Sequence, residues 1–554
     1  MNDRIYIFDT TLRDGAQTPW IGMGFWDRFI IAKALADIGV DVIELGFAAN
    51  HVDYEMIKKM AKYICNPEYS TNRTVPVACS LARAVKEDVR KAFETIEPAP
   101  PEKRRIHVFI GTSQELMDYS IGKKQEVVLS MIRENVSYAR ELIGDIGDVE
   151  YSSEDALRTD LDFLLETIQS AVDCGASVIN VPDTTGFARP DEYYDRIIAI
   201  RKNVKGIENV LLSAHIHHDS GNSVATTLKG IEAGIRQVEG TVLQLGERTG
   251  NVDWMSVVTN LNILKDFYKV DVSHIDTTKF FDVSRLVASI IEHPIPLVHP
   301  VTGRAAFAES SGIHVKGILR EPKTYFVIPA ATVGREVEIV LGQTSGTNTV
   351  ADFLRKHGYT DFTEELVEKI TEAVKEYSTE IKDGLTQTEA LLFVEHFMND
   401  RPMENRITLK DFQSSNSLNG PAKINVSIVV DGSEKTGYGE GVGPIDAFMN
   451  AMRNILNMKD AKLQLWKEHA AYHGRGAPGF EIINEMKFSP EELELIGNNT
   501  ISAGQEALAK SVVEIEYHGK TYSGRGVELD ITKASYLAIV NAFDAIFRLN
   551  NISY

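Results

Sequence analysis

The sequence has few cysteines and no long apolar segment. Cys65, Cys79 and Cys174 are the only cysteines in 554 residues, and their wide spacing in apolar surroundings argues against a disulfide scaffold and a cysteine zinc knuckle. No uninterrupted apolar stretch approaches the roughly 20 residues that a membrane span needs. The first residues also lack the apolar region and cleavage site of a secretion signal. We therefore expect a cytoplasmic protein with reduced thiols and no membrane partner.

Basic residues are outnumbered by acidic residues. The chain has 58 lysines and arginines against 79 aspartates and glutamates, which gives a formal net charge of −21. A charge of this sign repels phosphate backbones, so we expect no nucleic-acid partner. An anionic small-molecule substrate would need a local cationic site.

The N-terminal half of the sequence alternates β-branched runs with amphipathic helical segments, which is typical of repeated βα units. A count of eight strands favours an α/β fold with a closed TIM (β/α)8 barrel over an open sheet. The predicted strands are residues 5–9, 40–47, 75–81, 105–111, 147–152, 177–183, 210–217 and 237–245.

Three domains are expected, because 554 residues exceed what one hydrophobic core supports. They are a catalytic TIM barrel in residues 1–275, helical linker subdomains that complete the active site in 276–404, and a C-terminal α+β regulatory domain in 405–554. The last domain is duplicated: residues 423–456 and 511–547 both read as strand, strand, glycine turn and helix. A duplication of this kind fits a pseudo-symmetric binding or dimerisation domain better than a second catalytic one.

Two histidines and an aspartate form a candidate metal site at the strand ends. His215 and His217 are two positions apart on a predicted strand, so both imidazoles point to the same side. Asp14 follows the first strand, and the ends of barrel strands meet at one rim. Two imidazoles and a carboxylate leave open positions on a divalent metal for a chelating substrate. The alternatives are buried histidines bonded to backbone carbonyls and an aspartate that only supports a turn.

Arg13 lies next to this candidate site. Its guanidinium could hold a substrate carboxylate or a developing oxyanion, or it could form a structural ion pair with Asp9 or Glu44. The glycines of residues 437–443 do not form a nucleotide-binding P-loop, because no Lys-Ser/Thr pair follows them.

Six ordered motifs resemble the acyl-transferring aldolase-like barrel family that includes 2-isopropylmalate, citramalate and homocitrate synthases. The resemblance covers almost the entire chain, and the duplicated last domain is similar to the 2-isopropylmalate synthase branch. The motifs are residues 9–17, 150–156, 180–186, 215–219, 246–251 and 307–314.

The resemblance implies a role for individual residues. Those matching metal ligands are Asp14, His215 and His217, with Asn251 as a weaker ligand. Those matching the lining of a 2-keto acid pocket are Gln17, His107 and Thr184. Arg13 matches the residue that stabilises the keto group, and Glu154 matches a catalytic acid. His314 and Tyr325 match a pair that assists proton transfer in the barrel of the partner subunit, which implies a homodimer or a dimer-based oligomer.

The implied reaction is condensation of acetyl-CoA with a 2-keto acid. A divalent metal, Mg, Mn or Zn, would polarise the keto group, and either His314 or Glu154 would act as the base, the other as the acid. The expected acceptor is 2-ketoisovalerate, with feedback inhibition by an amino acid, expected to be leucine, through the C-terminal domain.

Three departures from the family pattern concern the acceptor. Ala16 stands where many relatives carry Glu, and residues 48–51 and 343–346 also differ. A citramalate synthase that uses pyruvate is therefore the first alternative, followed by a synthase of the homocitrate or Re-citrate type.

Other classes of function fit less well. A hydroxymethylglutaryl-CoA-type lyase would need a reactive cysteine in a glycine loop. A biotin-dependent carboxyltransferase would need a lysine on the barrel rim. Neither residue is present at such a position. A degenerate amino-acid sensor would have lost a metal ligand, whereas all of them are kept.

Overall fold

The structure, a computed structural model, describes residues 3–49, 51–399, 401–418, 420–471 and 508–552. Residue 50 of the departing 48–51 turn, and parts of the predicted regulatory domain, therefore lie outside the described residues. The chain divides into two compact units. The first contains residues 1–308 and 322–337, and the second contains 309–321 and 338–554. No described helix is long and apolar enough to cross a bilayer.

Eight parallel strands close into a barrel in sequence order, with β1 paired to both β2 and β8. This confirms the predicted TIM barrel and all eight predicted strands. The strands are Tyr6–Asp9 (β1), Val42–Phe47 (β2), Val77–Arg83 (β3), Arg104–Gly111 (β4), Asp148–Glu154 (β5), Val178–Asp183 (β6), Leu211–Ile216 (β7) and Gln237–Gly240 (β8).

Strand β8 is shorter than the sequence predicted. It ends at Gly240, and Val242–Gln244 form a 3-10 turn instead of continuing the strand. Leu243 and Gln244 both have positive φ angles, 56° and 60°, which a strand cannot contain. The apolar character of the segment reflects its burial against the barrel end, and that is why the sequence read as a longer strand.

Helices between the strands pack their apolar faces on the barrel. In Leu161–Asp173, for example, the side chain of Asp160 accepts hydrogen bonds from the backbone N–H groups of Asp162 and Phe163 and caps the N-terminus. Phe163, Leu164 and Ile168 are then buried on one face. The other helices of nine residues or more in this unit are Phe25–Ile38, His51–Tyr63, Lys86–Ile96, Gln125–Ile143, Pro190–Asn203, Ser223–Ala233, Trp254–Ile263 and Phe280–Ile290.

Shorter helical segments connect these elements. The α-helical turns are Gln114–Leu116, which continues into the π-helical turn Met117–Ile121, and Lys265–Tyr268. The 3-10 turns are Gly15–Gln17, Pro101–Lys103, Ile207–Asn209, Val242–Gln244, Thr277–Lys279, Arg304–Phe307, Pro322–Thr324 and Ala330–Val333. Two short strands follow, Ala308–Glu309 (β9) and Glu338–Ile339 (β10).

The second unit begins with helices around their own apolar cluster, which includes Val350, Leu354, Ile370, Val374 and Val394. Two of these helices, Glu364–Ile381 and Gln387–Asn399, fall where the sequence predicted helices. Thr347–Lys356 is the third helix around this cluster, and Gly312–Arg320 is a further helix of the same unit.

The C-terminal part of the second unit contains the predicted duplication. Each copy is a three-stranded antiparallel sheet in sequence order with one helix on it. The first copy consists of Ile407–Ser417 (β11), Gly420–Val430 (β12), Ser433–Gly441 (β13) and the helix Pro444–Leu456. The second consists of Lys462–Ala471 (β14), Leu508–Tyr517 (β15), Lys520–Glu528 (β16) and the helix Ile531–Leu549. Phe448 and Tyr536 stack between the copies with ring centroids 4.1 Å apart.

In each copy a glycine of the last strand brings that strand against the helix backbone. A Cβ atom on Gly439 would lie 2.0 Å from the carbonyl oxygen of Ala447, and one on Gly524 would lie 2.0 Å from that of Ala538. No side chain can occupy such a space, so both strands need glycine here.

Replacing Gly439 with Ala tests this contact. The new methyl group must push the helix away, so we expect a loss of about 1 to 3 kcal/mol in the free energy of unfolding of the C-terminal domain. Urea unfolding followed by circular dichroism measures it. Gly443→Ala is the control, because a Cβ atom there meets nothing within 4 Å. Equal effects of the two substitutions would contradict the close-contact explanation.

Candidate active site

Three predicted metal ligands meet at the C-terminal end of the barrel. Asp14 lies in the turn after β1, His215 lies in β7, and His217 directly follows that strand. The Nε2 atoms of the two histidines are 3.3 Å apart, and the Oδ2 atom of Asp14 is 3.6 Å from the first and 3.9 Å from the second. All three side chains are buried. Two imidazole nitrogens and a carboxylate oxygen thus face one another, as ligands of one cation would.

The protonation states of these groups fit a bound cation. Burial, with the neighbouring positive charges, lowers the pKa of His215 to about 4 and that of His217 to about 3, despite the opposing effect of Asp14. Burial alone would raise the pKa of Asp14, but Arg13 and the two histidines lower it below its ordinary value. Neutral imidazoles and an ionised carboxylate are the forms that bind metals.

Unsatisfied oxygen atoms lie beside this cluster. The Oδ1 atoms of Asp14 and Asn251 are buried and have no hydrogen-bond partner among the described residues. Both side chains flank Gly246, where a Cβ atom would lie 2.4 Å from Asn251 Nδ2 and 3.0 Å from Asp14 Oδ1. Since buried oxygen atoms without partners are unfavourable, these two atoms are accounted for if they face a cation. The residues present therefore fit a divalent metal.

Arg13 forms one of the ion pairs that the sequence left open, and its role toward a substrate stays a prediction. Its Nη1 atom donates to Asp14 at 2.9 Å, and its Nε atom donates to Glu44 at 2.5 Å, which is the structural ion pair. Arg13 also lines the cavity above the cluster. Asp9 does not pair with it. Instead, the Asp9 carboxylate accepts hydrogen bonds from Thr11 and from the Trp254 indole and fixes the end of β1.

His107 connects Arg13 to the polar interior of the barrel. Its Nδ1 atom is 2.8 Å from Glu44 Oε1, and its Nε2 atom is 2.7 Å from Ser152 Oγ. Burial opposes charge on both groups, but their mutual contact outweighs it. Together with Arg13, His107 keeps the pKa of Glu44 below its ordinary value, and Glu44 keeps the pKa of His107 above its ordinary value. Glu44, which is itself paired with His107, therefore holds the guanidinium of Arg13 in place.

Glu154 is the last residue of β5 and faces the same cavity. Burial, followed by the charges of Asp155 and Glu247, raises its pKa to about 7, so it can give or take a proton near neutrality. The next residue, Asp155, has a left-handed φ of 65°, and its N–H group donates to Thr184 Oγ1 at 2.9 Å. Thr184 thus supports the turn that orients Glu154.

The cavity at this rim has a volume of about 210 Å³. It brings together eight of the residues that the sequence singled out, namely Arg13, Asp14, Gln17, His107, Glu154, Thr184, His215 and His217. Sequence reasoning missed its apolar wall, which consists of Phe47, Leu81, Phe109 and Pro182, and the polar residues Ser152, Asn180 and Glu239. Glu239 could have been found as a lone acid within an apolar strand.

Three predicted residues, Asn251, His314 and Tyr325, are not among those that line the cavity. Asn251 lies beside the metal-ligating cluster, as described above. Tyr325 follows the turn Pro322–Thr324 and is 44% exposed. His314 belongs to the second unit, on the helix Gly312–Arg320, where its Nδ1 atom is 2.9 Å from Glu309 Oε2. The roles of all three residues stay predictions.

Family models match three successive parts of the chain. The HMGL-like model matches residues 4–287, a homocitrate synthase post-HMGL domain-like model matches 301–382, and the LeuA allosteric (dimerisation) domain matches 385–484 and 481–547. The first model covers the closed barrel and the cluster at its rim that could hold a metal, so this chain is an enzyme of the HMGL-like class.

Its relatives define the family within that class. The 2-isopropylmalate synthase of Aquifex aeolicus is 34% identical over 546 residues, which cover 98% of this chain and 96% of the relative. That of Pyrococcus furiosus is also 34% identical, with 99% of this chain and all of the relative covered. The chain belongs to the 2-isopropylmalate synthase family.

Replacing His217 with Ala tests the metal cluster. Loss of a hydrogen bond to a metal ligand can lower metal affinity by roughly 100-fold. Because this substitution removes a direct ligand, we expect the affinity for divalent metal to fall by more than that. Isothermal titration with Mg²⁺, Mn²⁺ and Zn²⁺ measures the affinity, and circular dichroism checks the fold.

His293→Ala is the matched control for this measurement. His293 lies in the same unit, and its Nδ1 atom is bonded to the backbone carbonyl of Ile291, so its loss should leave metal binding unchanged. If the His217 variant binds metal as the unsubstituted protein does, the ligand assignment is wrong.

Proposed function

We propose that this enzyme condenses acetyl-CoA with 2-ketoisovalerate and releases 2-isopropylmalate and CoA. The observation that carries the proposal is the rim cavity, whose lining includes both the candidate metal-ligating cluster with Arg13 and a set of apolar side chains. A branched 2-keto acid has the same two parts, a chelating head and an apolar side chain.

The head of the keto acid would bind at the cluster. Asp14, His215 and His217, with Asn251 beside them, would hold Mg, Mn or Zn, and the bound cation would polarise the keto group. Arg13 would donate a hydrogen bond to the keto oxygen, where negative charge develops during attack. Its contact with Glu44 prevents it from turning away. Gln17, His107 and Thr184 would orient the acceptor.

The chemistry also requires two proton transfers. A base removes a proton from the methyl group of acetyl-CoA, and the resulting enolate carbon attacks the keto carbon. An acid then supplies a proton to the new alkoxide, and hydrolysis of the thioester makes the reaction effectively irreversible. Glu154 in the cavity, and His314 assisted by Tyr325 from a partner subunit, are the proposed proton carriers.

The apolar wall supports a branched acceptor over pyruvate. An isopropyl group can contact the apolar side chains of Phe47, Leu81, Phe109 and Pro182. One or two methylenes change the preference between two acceptors by only about 1 to 3 kcal/mol. Ala16 is not among the lining residues and packs against the apolar cluster of the barrel. This departure therefore does not itself line the cavity. Citramalate synthesis from pyruvate remains the second candidate.

Regulation is proposed for the duplicated domain, which matches the LeuA allosteric (dimerisation) model. Leucine would bind there and inhibit the enzyme, and the working form would be a cytoplasmic homodimer. The proposed domains are 1–275, 276–404 and 405–554. Arg525 of β16 supports coupling between the last two, because it donates to Glu389 at 3.0 Å and to Asp383 at 3.1 Å.

A thiol-release assay with four acceptors tests the reaction. We expect 2-ketoisovalerate to give the highest kcat/KM, because it fills the apolar wall, with pyruvate lower by about 10-fold or more. 2-Ketoglutarate and oxaloacetate should react poorly, since their second carboxylates would face phenylalanine. Pyruvate as the best acceptor would establish the alternative, and no thiol release with any acceptor and metal would refute the condensation.

Inhibition by amino acids tests the regulatory proposal. Leucine in the same assay should lower the rate, whereas isoleucine, which carries the same charges and the same volume in another shape, should have a much weaker effect. Titration of each amino acid gives the concentration for half inhibition. Inhibition by isoleucine alone would contradict leucine as the effector.

A further inference from the structure

A half-buried carboxylate is fixed against the imidazole of His314. Glu309 Oε2 lies 2.9 Å from His314 Nδ1, five residues along the chain. At neutral pH a carboxylate can only accept a hydrogen bond, so the Nδ1 atom must carry the proton. The Nε2 atom of a neutral His314 then carries the lone pair.

The carboxylate of Glu309 is itself held in place. Its other oxygen, Oε1, accepts hydrogen bonds from the N–H groups of Ser310 and Ser311, both at 3.0 Å. Burial raises the pKa of Glu309, but these N–H groups and His314 together lower it by more, so the net shift is downward and the group is ionised near neutrality. The side chain is 24% exposed, against 43% for His314.

The segment around this pair is anchored to a second loop of the same unit. Ser310 Oγ is 2.5 Å from Thr344 Oγ1, and Gly312 lies so close to Gly346 that a Cβ atom would meet its Cα at 2.8 Å. The helix begins at Gly312, so His314 lies in its first turn. Thr344 and Gly346, which lie in the stretch 343–346 that departs from the family pattern, therefore contact the Glu309–His314 segment.

We propose that Glu309 is a positioning residue that keeps His314 in the Nδ1-protonated form, so that Nε2 is the nitrogen that accepts the methyl proton of acetyl-CoA. This inference rests on the proposed condensation and assigns the base role, which the choice between His314 and Glu154 left open. Glu309 touches no reacting atom in this scheme.

The proton transfer balances without another reactant. The proton of the acetyl methyl group moves to Nε2, and the C–H electron pair forms the enolate, which attacks the keto carbon. His314 becomes an imidazolium ion, whose charge is compensated by Glu309 at 2.9 Å. A helix N-terminus disfavours a positive charge, so the carboxylate also offsets the unfavourable position of His314. Glu154 in its neutral form supplies the proton to the alkoxide.

The test is a double-mutant cycle in the full-length, metal-loaded enzyme with Glu309→Gln, His314→Gln and both together. The amide introduced by Glu309→Gln can still accept from Ser310 and Ser311, but it carries no charge and can turn its NH2 group toward the imidazole. His314→Gln should lower kcat by about 10² to 10⁴-fold, and Glu309→Gln by about 10 to 100-fold with both KM values nearly unchanged. Glu309→Asp, which keeps the charge, should recover part of the lost kcat.

The double variant separates positioning from a merely structural role. If Glu309 acts through His314, the double variant should be no slower than His314→Gln alone. The matched control is Glu338→Gln, a change of an exposed glutamate in the same unit, which should leave kcat unchanged.

Three outcomes would overturn the inference. The first is a normal kcat for Glu309→Gln while His314→Gln is slow. The second is a kcat for the double variant that is lower than that of His314→Gln by the same factor as Glu309→Gln causes alone. In both cases the condensation itself stands. The third is full turnover of His314→Gln, which removes His314 from the mechanism and the positioning role with it. Absence of thiol release in the unsubstituted enzyme would instead refute the proposed function.

Discussion

The barrel interior is built around buried ionisable side chains whose polar atoms must be paired with one another. Glu44, Glu150, Glu239 and Arg105 are buried there, and a buried ion without a partner is strongly destabilising. Arg105 donates to Glu150 at 3.1 Å and to Gln237 at 2.7 Å, and Gln237 in turn donates to Glu150 at 2.9 Å. Because each of these contacts joins different strands, the register of the barrel and the satisfaction of its charges depend on each other.

The same network reaches the metal cluster from two sides. On one side it runs from Ser152 through His107 and Glu44 to Arg13 and Asp14. On the other side Glu239 accepts from Ser213 at 2.7 Å and lies 3.3 Å from the Nδ1 atom of His215. Asp14 and His215 are thus supported by residues that are themselves buried, which is how the side chains of a site are kept in a fixed geometry. Reactivity at the rim therefore depends on packing below it.

The sequence predicted the barrel, and the convergence of Asp14, His215 and His217 at its rim, because both produce local signals. Strands alternate with helices along the chain, and Asp14, His215 and His217 stand at strand ends. It predicted the pocket wall poorly, because Phe47 and Phe109 look like any buried strand residue. Whether such a residue faces inward depends on the closure and tilt of the whole barrel. The overlong β8 has a similar origin, since burial and strand formation give the same apolar pattern.

The glycine contacts of the C-terminal domain govern how it can deform. Where two elements meet through side chains, a small shift can be absorbed by a change of rotamer. At Gly439 and Gly524 the strand meets the backbone of its helix directly, so no rotatable group lies between them. We therefore expect strand and helix to shift together, so that each half of the domain moves as one rigid body.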